Sequence, residues 1–373
     1  MSNSKNRILI VIPSLTLGGA EKQAFEYAKA MKLKGLEPVL LGFGREGELL
    51  VSLKLEGIRY ETFPMANFFK SRKLRKLYEL FRFLLFLKKI KADKLIAFTY
   101  WPNVLCGCIY KLAGIKTMFW NQRSVDENIS ISIWEKWAIK NKMRYIANSE
   151  TCRDFIAKRH RLHSIEEVEV ILNTIELPEL KLAQKNPLPI LNFVMVANFF
   201  EEKDQLTVLK AYNIYIEKEE NPSAILHFIG TAPGKGMRLL QAKELAFELG
   251  LTNKQVHFHG TLSNVTDFIQ HCDIGILSTY SEGFSNAIME YMVHGLPVIA
   301  TDIPSNKEAL THENESLLFS LNDEHTLSAH LEQLANDEQL RKRTGALNRK
   351  IAERMFDKNN FMESLARILK GHR

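Results

Sequence analysis

Residues 271–309, HCDIGILSTYSEGFSNAIMEYMVHGLPVIATDIPSNKEA, leave this chain little freedom in how it folds. The apolar run Ile274-Gly275-Ile276-Leu277 has the length of a strand buried on both faces of a parallel sheet. Ser278 to Ser281 make a polar loop, Glu282 and Gly283 follow, and Ser285-Asn286 offer a helix cap ahead of Ala287 to Met292. Gly295 stops that helix, and Leu296-Pro297-Val298-Ile299-Ala300 reads as the next strand. Together they form a βαβ unit, and open parallel sheets bind ligands where strand passes into helix. Free N–H groups at the helix start suit a phosphate. Glu282, before the helix, and Glu290, about two turns along it, are unsuited to phosphate but accept hydrogen bonds from hydroxyls. A ligand with a phosphate part and a polyol part satisfies both demands, and a nucleotide sugar has both.

The chain's 373 residues exceed one ordinary core, so two domains are expected. Strand-like runs at Ile8 to Ile12, Pro38 to Leu41, Tyr60 to Phe63, Leu95 to Phe98 and Thr117 to Trp120 alternate with helical stretches. The pattern resumes at Leu191 to Ala197, Ile225 to Gly230 and Val256 to Gly260, which argues for doubly wound α/β sheets. Between them, Leu177 to Pro189 carries three prolines and little periodicity. The expected division is therefore 1–178, a linker at 179–190, and 191–356, with a charged helical tail from Asp323 onward. Gly18-Gly19 lies between the first strand and a helix expected from Lys22 to Lys34, where a glycine pair lets backbone approach a ligand closely. No G-x-G-x-x-G follows a strand, which disfavours a nicotinamide enzyme. His257 and His259 alternate along their strand with no further ligand at metal-binding spacing.

Four cysteines show no zinc or disulfide spacing, and Cys106-Gly107-Cys108 reads as small buried side chains in a reducing cytosol. A polar lead, Met1 to Asn6, precedes the first strand, and no signal peptide or long apolar run is apparent, so a cytoplasmic location is expected. The net charge of +7 is concentrated: Lys70 to Lys94 hold ten basic and two acidic residues, leaving the remainder close to neutral. Within this stretch Leu74, Leu77, Tyr78, Phe81, Leu84 and Leu85 share one side of a helix. Lys70, Arg72, Lys73, Arg75, Lys76, Arg82, Lys88 and Lys89 occupy much of the remainder. A basic amphipathic helix of this kind suits an anionic membrane surface; a core-facing helix with a solvated basic face is the alternative. No recognised nucleic-acid module accompanies it, so nucleic acid is not an expected partner.

Glu282-Gly283-Phe284 with Glu290 resembles the E-x7-E signature of retaining family-4 glycosyltransferases of the GT-B fold. The frame around it agrees: the Asp273-Ile274 strand, Ser278, His294-Gly295-Leu296-Pro297-Val298 and Glu308. Gly18-Gly19-Ala20-Glu21 is similar to that family's GGAE loop, Tyr145 to Glu150 to its last N-domain strand and turn, and Val170 to Glu176 to the segment entering the hinge. The resemblance implies two facing Rossmann-like domains with an interdomain cleft, the acceptor on the N-terminal side and the donor on the C-terminal side. It also implies that a last helix, about 357–373, completes the first domain.

Carried onto this sequence, the resemblance places the donor diphosphate at Lys203 and the backbone from Ser281 through Gly283, Phe284, Ser285 and Asn286. Gly18, Gly19 and Gly230 border the nucleotide, Glu282 holds hydroxyls of the transferred sugar, and Glu290 holds the ribose. Asn198 stands where relatives have arginine, removing one charge-assisted contact. Many relatives place a histidine after the strand ending near Trp120, whereas this chain has Asn121, Gln122 and Arg123. The acceptor side is therefore assigned to those three and Tyr100, with Arg123 suited to a phosphate on the acceptor. The implied reaction moves a hexose from a nucleoside diphosphate sugar, UDP by family frequency, to a hydroxyl of a lipid-linked glycan. The implied setting is bacterial surface polysaccharide synthesis (lipopolysaccharide or capsule), with the enzyme peripheral at the inner face of the cell membrane. No Asp-x-Asp occurs, so no metal and no cofactor are expected. An epimerase or phosphorylase on the same fold, or a nucleotide-sugar-binding subunit without catalysis, are the competing readings.

Overall fold

The computed structural model describes residues 7–370 except 17, 45, 66–67, 70, 127–128, 180–189, 219–223, 233, 235, 263 and 311–316. The N-terminal lead, Lys70 and most of the expected linker thus lie outside the described residues, as does the side chain of Lys73. The chain divides into two compact units, Met1–Thr174 with Lys358–Arg373, and Ile175–Asp357.

In the first unit β1 (Arg7–Ile12), β2 (Glu37–Gly42), β3 (Arg59–Thr62), β4 (Lys94–Phe98), β5 (Thr117–Gln122), β6 (Arg144–Ala147) and β7 (Val168–Val170) form one sheet ordered 3-2-1-4-5-6-7. Every pairing is parallel. β1 shows why its sequence is apolar throughout. Leu9 and Val11 pack into one core cluster, while Ile8, Ile10 and Ile12 pack into another on the opposite face. The Lys358–Lys370 helix belongs to this second cluster through Phe361, Leu365, Ile368 and Leu369, with Phe361 edge-on to Tyr27 at 5.1 Å. Each such buried side chain contributes about 1.5–3 kcal/mol, so the C-terminal segment is a structural part of the N-terminal unit. Cys106 and Cys108 are buried, and Gly107 sits where a Cβ would come 2.7 Å from the Cβ of Ala138.

The second unit repeats the plan with β8 (Leu191–Val196), β9 (Ala224–Ile229), β10 (Val256–Gly260), β11 (Ile274–Leu277), β12 (Val298–Thr301) and β13 (Leu318–Phe319), ordered 10-9-8-11-12-13 and all parallel. In each sheet the order reverses once, between β1 and β4 and between β8 and β11, and such switch points are where this architecture opens for ligands. The expected helix after β11 runs Asn286–Val293 and is capped by Ser285, whose Oγ accepts from the Ile288 N–H. Its Tyr291 is buried under the sheet; the phenol accepts from the Val196 N–H at 2.6 Å and donates to the Ile276 carbonyl. Gly275 makes that seat possible, since a Cβ there would lie 2.4 Å from the Tyr291 ring. Gly275→Ala is therefore expected to destabilise the second unit by about 1–3 kcal/mol through overpacking, read as a lower urea midpoint. An unchanged midpoint would show that the ring can move aside.

Candidate functional site

The second unit's switch point gathers the residues that the βαβ pattern singled out. After β8, the chain runs through Asn198 to Lys203 and the Gln205–Lys218 helix; after β11 it runs through Ser278 to Glu282. The two loops zip together by an isolated antiparallel bridge between Lys203 and Thr279. Asp204 N–H donates to the Ser278 carbonyl at 3.0 Å, and Tyr280 N–H to the Glu202 carbonyl at 2.9 Å. Below them Asp204 accepts from the Ser278 hydroxyl at 3.1 Å and faces Arg238 at 3.7 Å. Lys203 is thereby carried to Glu282, with which it forms an ion pair, and its Nζ also donates to Thr279 Oγ1 at 3.4 Å. Both partners are mostly enclosed yet not sealed from solvent.

Around this pair Gly283, Phe284 and Ser285 are buried, while Ser281 and Asn286 are partly exposed at the helix start. Phe284 packs edge-on against Phe356 at 5.7 Å, pinning the loop that presents the first helical amides. Glu290 is buried one turn further in, its carbonyl accepting from His294 Nδ1 at 2.6 Å. Asn198 turns inward: its Oδ1 accepts from the Thr231 N–H at 2.8 Å, which shapes the turn after β9. Gly230 in that turn has φ +158°, and a Cβ there would come 2.2 Å from the Ala197 carbonyl oxygen. Asn198 and Gly230 thus build the wall of the site.

Gly18 and Gly19 belong to the first unit, at the carboxyl end of β1. The helix there begins at Gly19, three residues ahead of the Lys22 start expected from sequence, and Gly18 is its cap residue. Glu21 folds back over Gly18, so that a Cβ on Gly18 would meet its Oε2 at 2.2 Å. Burial pushes the Glu21 carboxyl up, partly offset by its own backbone N–H and by Arg123. Arg123 is buried above the Phe98 ring at 5.2 Å, and Nη2 donates to Asn173 Oδ1. Its Nη1 is buried with no hydrogen-bond partner among the described residues, a donor suited to an incoming anion. Thr99, at the end of β4, holds φ +69°, a rare and strained value for a β-branched residue beside a site.

Of the other acceptor-side candidates, Gln122 and Tyr100 are engaged within the unit, whereas the buried Asn121 side chain has neither Oδ1 nor Nδ2 hydrogen-bonded among the described residues. The Asn121 backbone pairs with the Asn103 side chain. Gln122 accepts from Trp120 Nε1 at 2.8 Å and donates to the Ser124 carbonyl. Tyr100, in the first turn of the Tyr100–Ile109 helix, donates its hydroxyl to Glu135 Oε2 at 3.0 Å. Glu135 is the centre of a buried network that nothing in the sequence pattern announces. Arg159 donates to both of its oxygens at 2.6 and 2.8 Å, and His160 Nε2 to Oε1 at 3.0 Å, while Tyr145 donates to His160 Nδ1 at 3.1 Å.

The basic helix spans Lys73–Ile90. Its buried side is Leu80, Phe83, Leu87 and Ile90, and of the stripe picked out by spacing only Leu84 packs partly against that core. Leu74 is 83% exposed and Phe81 55%, and Leu77, Tyr78 and Leu85 are also exposed. Arg82 pairs with Glu79 at 2.9 Å and Lys76 Nζ lies over Phe68 at 5.4 Å, while Arg72 and Arg75 lie on the same segment. The helix thus has a core face and a second apolar face, bordered by cations and turned to solvent. No helix among the described residues is long and apolar enough to cross a membrane.

Comparison with known proteins agrees with this geometry. Residues 17–178 match the model of glycosyltransferase family 4, and residues 183–351 that of glycosyl transferases group 1. Over 91 residues the chain is 30% identical to the N,N'-diacetylbacillosaminyl-diphospho-undecaprenol alpha-1,3-N-acetylgalactosaminyltransferase of Campylobacter jejuni, covering 24% of each chain. It is 22% identical to the GalNAc-alpha-(1->4)-GalNAc-alpha-(1->3)-diNAcBac-PP-undecaprenol alpha-1,4-N-acetyl-D-galactosaminyltransferase of the same species, covering 90% of each. The chain spans about half or less of the length of the first curated relatives it matches. Among solved structures, Anabaena Alr3699/HepE in complex with UDP and glucose superposes with a TM-score of 0.82 at 19% identity, over 98% of this chain and 99% of that one. The fold is GT-B, two parallel-sheet Rossmann-like domains.

Proposed function

From two halves that match glycosyltransferase family 4 and glycosyl transferases group 1, we infer a family-4-like glycosyltransferase that transfers a hexose with retention. The donor is a nucleoside diphosphate sugar, with UDP favoured, and the acceptor is a hydroxyl of a lipid-linked glycan in bacterial surface polysaccharide synthesis. The observation that carries this reading is the Lys203–Glu282 pair at the β8/β11 switch point, beside the start of a capped helix.

As the glycosidic bond breaks, negative charge grows on the departing diphosphate. Lys203 and the N–H groups from Gly283 to Asn286 lie where that charge can be met by a cation and by the positive end of a helix. Glu282 then exchanges its lysine partner for hydroxyls of the transferred sugar, and Glu290 takes the ribose. Such a set stabilises the leaving group without a bridging metal, and no cofactor enters the step. With no carboxylate assigned as nucleophile, retention follows from same-face attack, the leaving phosphate accepting the acceptor's proton. On the acceptor side, the unpartnered Nη1 of Arg123 is assigned to a phosphate of the acceptor.

The donor arm is tested by thermal shift against UDP- and GDP-sugars. One donor is expected to raise the Tm of the native chain and to leave Glu290→Ala unmoved, because only a ligand that binds the folded state stabilises it. No shift with any donor, with or without acceptor, would remove the reading. Two of the relatives carry undecaprenol in their names, which supports a lipid-linked acceptor. The solvent-facing Leu74, Leu77, Tyr78 and Phe81 beside Arg72 and Arg75 support docking on the inner face of the cell membrane. Binding to vesicles rich in anionic lipid at low salt is expected to fall at least tenfold when Arg72, Arg75 and Lys76 become Glu, each cation being worth about 1 kcal/mol near such a surface. Equal binding by that variant would refute the docking.

A further inference from the structure

Three histidines meet on one face of the second sheet. In the parallel register of β9 and β10, His227 stands opposite His257, and His259, at the register shift between Phe258 and Gly260, brings its ring to within 5.2 Å of His227 and 5.7 Å of His257. One ring nitrogen from each lies within 4.8 Å of the others. The Asn192 amide settles the protonation of His227. Its Nδ2 donates to the carbonyls of Ile190 at 3.3 Å and His271 at 3.4 Å, so Oδ1 is the atom turned toward His227, 3.1 Å from Nε2. Nε2 must therefore carry the proton, and Nδ1 holds a lone pair aimed at His259 Nε2, 3.0 Å away. This is the arrangement of a metal-ligating histidine whose far N–H is held by a neighbouring oxygen. Phe268 walls the cluster, edge-on to His227 at 5.1 Å and His259 at 4.8 Å, while His257 and His259 keep partial access to solvent.

We propose that His227, His257 and His259 form a binding site for a borderline divalent transition-metal ion of the zinc class. Three imidazoles without carboxylates select against magnesium and calcium, and a fourth position remains for water. Bonds of about 2.0–2.1 Å place tetrahedral neighbours roughly 3.3 Å apart, so the His227–His259 pair opens slightly and the His257 ring swings inward. The ion clips the edge strand β10 to β9 and, through Asn192, to β8. It lies along the strands, whereas Lys203 and Glu282 lie in loops beyond the strand ends, so the site is separate from the proposed transfer chemistry.

The test uses the full chain free of tag histidines, stripped with chelator and titrated with Zn2+ against a chromophoric competitor, then with Co2+ for its visible spectrum. One equivalent is expected to bind with a Kd on the order of a micromolar or tighter, with a rise in Tm and the bands of a four-coordinate cobalt site. The half-buried double variant His257→Gln/His259→Gln should keep its fold and lose at least about 100-fold in affinity. Asn192→Ala should lose about tenfold or more, because the tautomer of His227 is no longer held. His330→Gln, outside the cluster, should bind as the native chain does. No uptake by the native chain at micromolar Zn2+, or uptake unchanged in the double variant, would overturn the site.

Discussion

Lys203→Ala is expected to lower kcat/KM for sugar transfer by about 10²–10³, the usual cost of removing one preorganised charge partner from a transition state. The loss should fall mainly on kcat. Before reaction, the lysine is already engaged by Glu282 and Thr279, so moving it to a ground-state diphosphate exchanges one charge contact for another. Net gain arises only as the leaving group acquires charge, and an interaction realised only there appears in kcat. Lys203→Arg keeps the charge but not the compact ammonium, and should recover part of the rate. Steady-state kinetics with the donor found by thermal shift decide the matter. If kcat is unchanged while KM rises, Lys203 binds the donor uniformly and its catalytic assignment is lost.

Glu135→Gln should destabilise the first unit by about 2–4 kcal/mol at pH 7, because it leaves the partly buried Arg159 charge facing a neutral amide. The associated pH dependence follows from two groups. Burial pushes the Glu135 carboxyl up, but hydrogen bonds from His160 and Arg159 outweigh it and hold the group at about 2, below its ordinary 4.5. Its stabilisation is whole above about pH 4.5 and is lost as pH falls toward 2, since the unfolded chain takes up that proton first. Burial holds His160 below its ordinary 6.5, so the unfolded state is also favoured by protonation there as pH drops under 6.5. Urea denaturation from pH 7 to pH 3 should show the native chain losing stability in acid and converging on the Gln variant below about pH 4.5. A gap of constant size across that range would mean that the carboxylate's charge is not what the network uses.

The fold was largely legible. Apolar runs punctuated by glycine, serine and proline placed most strands to within a residue or two, because parallel strands are buried on both faces and tolerate little else, whereas β7 and β13 are too short to stand out. The helix start at Gly19 was misplaced because Gly18 caps through backbone geometry alone, without the side-chain acceptor that marks a start in sequence. The Lys73–Ile90 helix left two readings open for a different reason. It carries apolar residues on two stripes, and periodicity cannot say which stripe meets the core when both are apolar.

Spacing along the chain determined the βαβ unit around Glu282 and Glu290, because a helix and two strands are local objects whose hydrogen bonds and burial follow from neighbouring residues. Partnership was decided elsewhere. Lys203 and Glu282 are 79 residues apart, Arg123 and Asn173 are 50 apart, and Glu135 and Arg159 are 24 apart. His227 reaches His259 across 32 residues only because β9 and β10 pair in one particular register. A shift of one residue in that pairing would turn the facing side chains to opposite sides of the sheet. Residue type set which chemistry was available to the chain, and strand register, fixed by packing of the whole core, chose which residues share it.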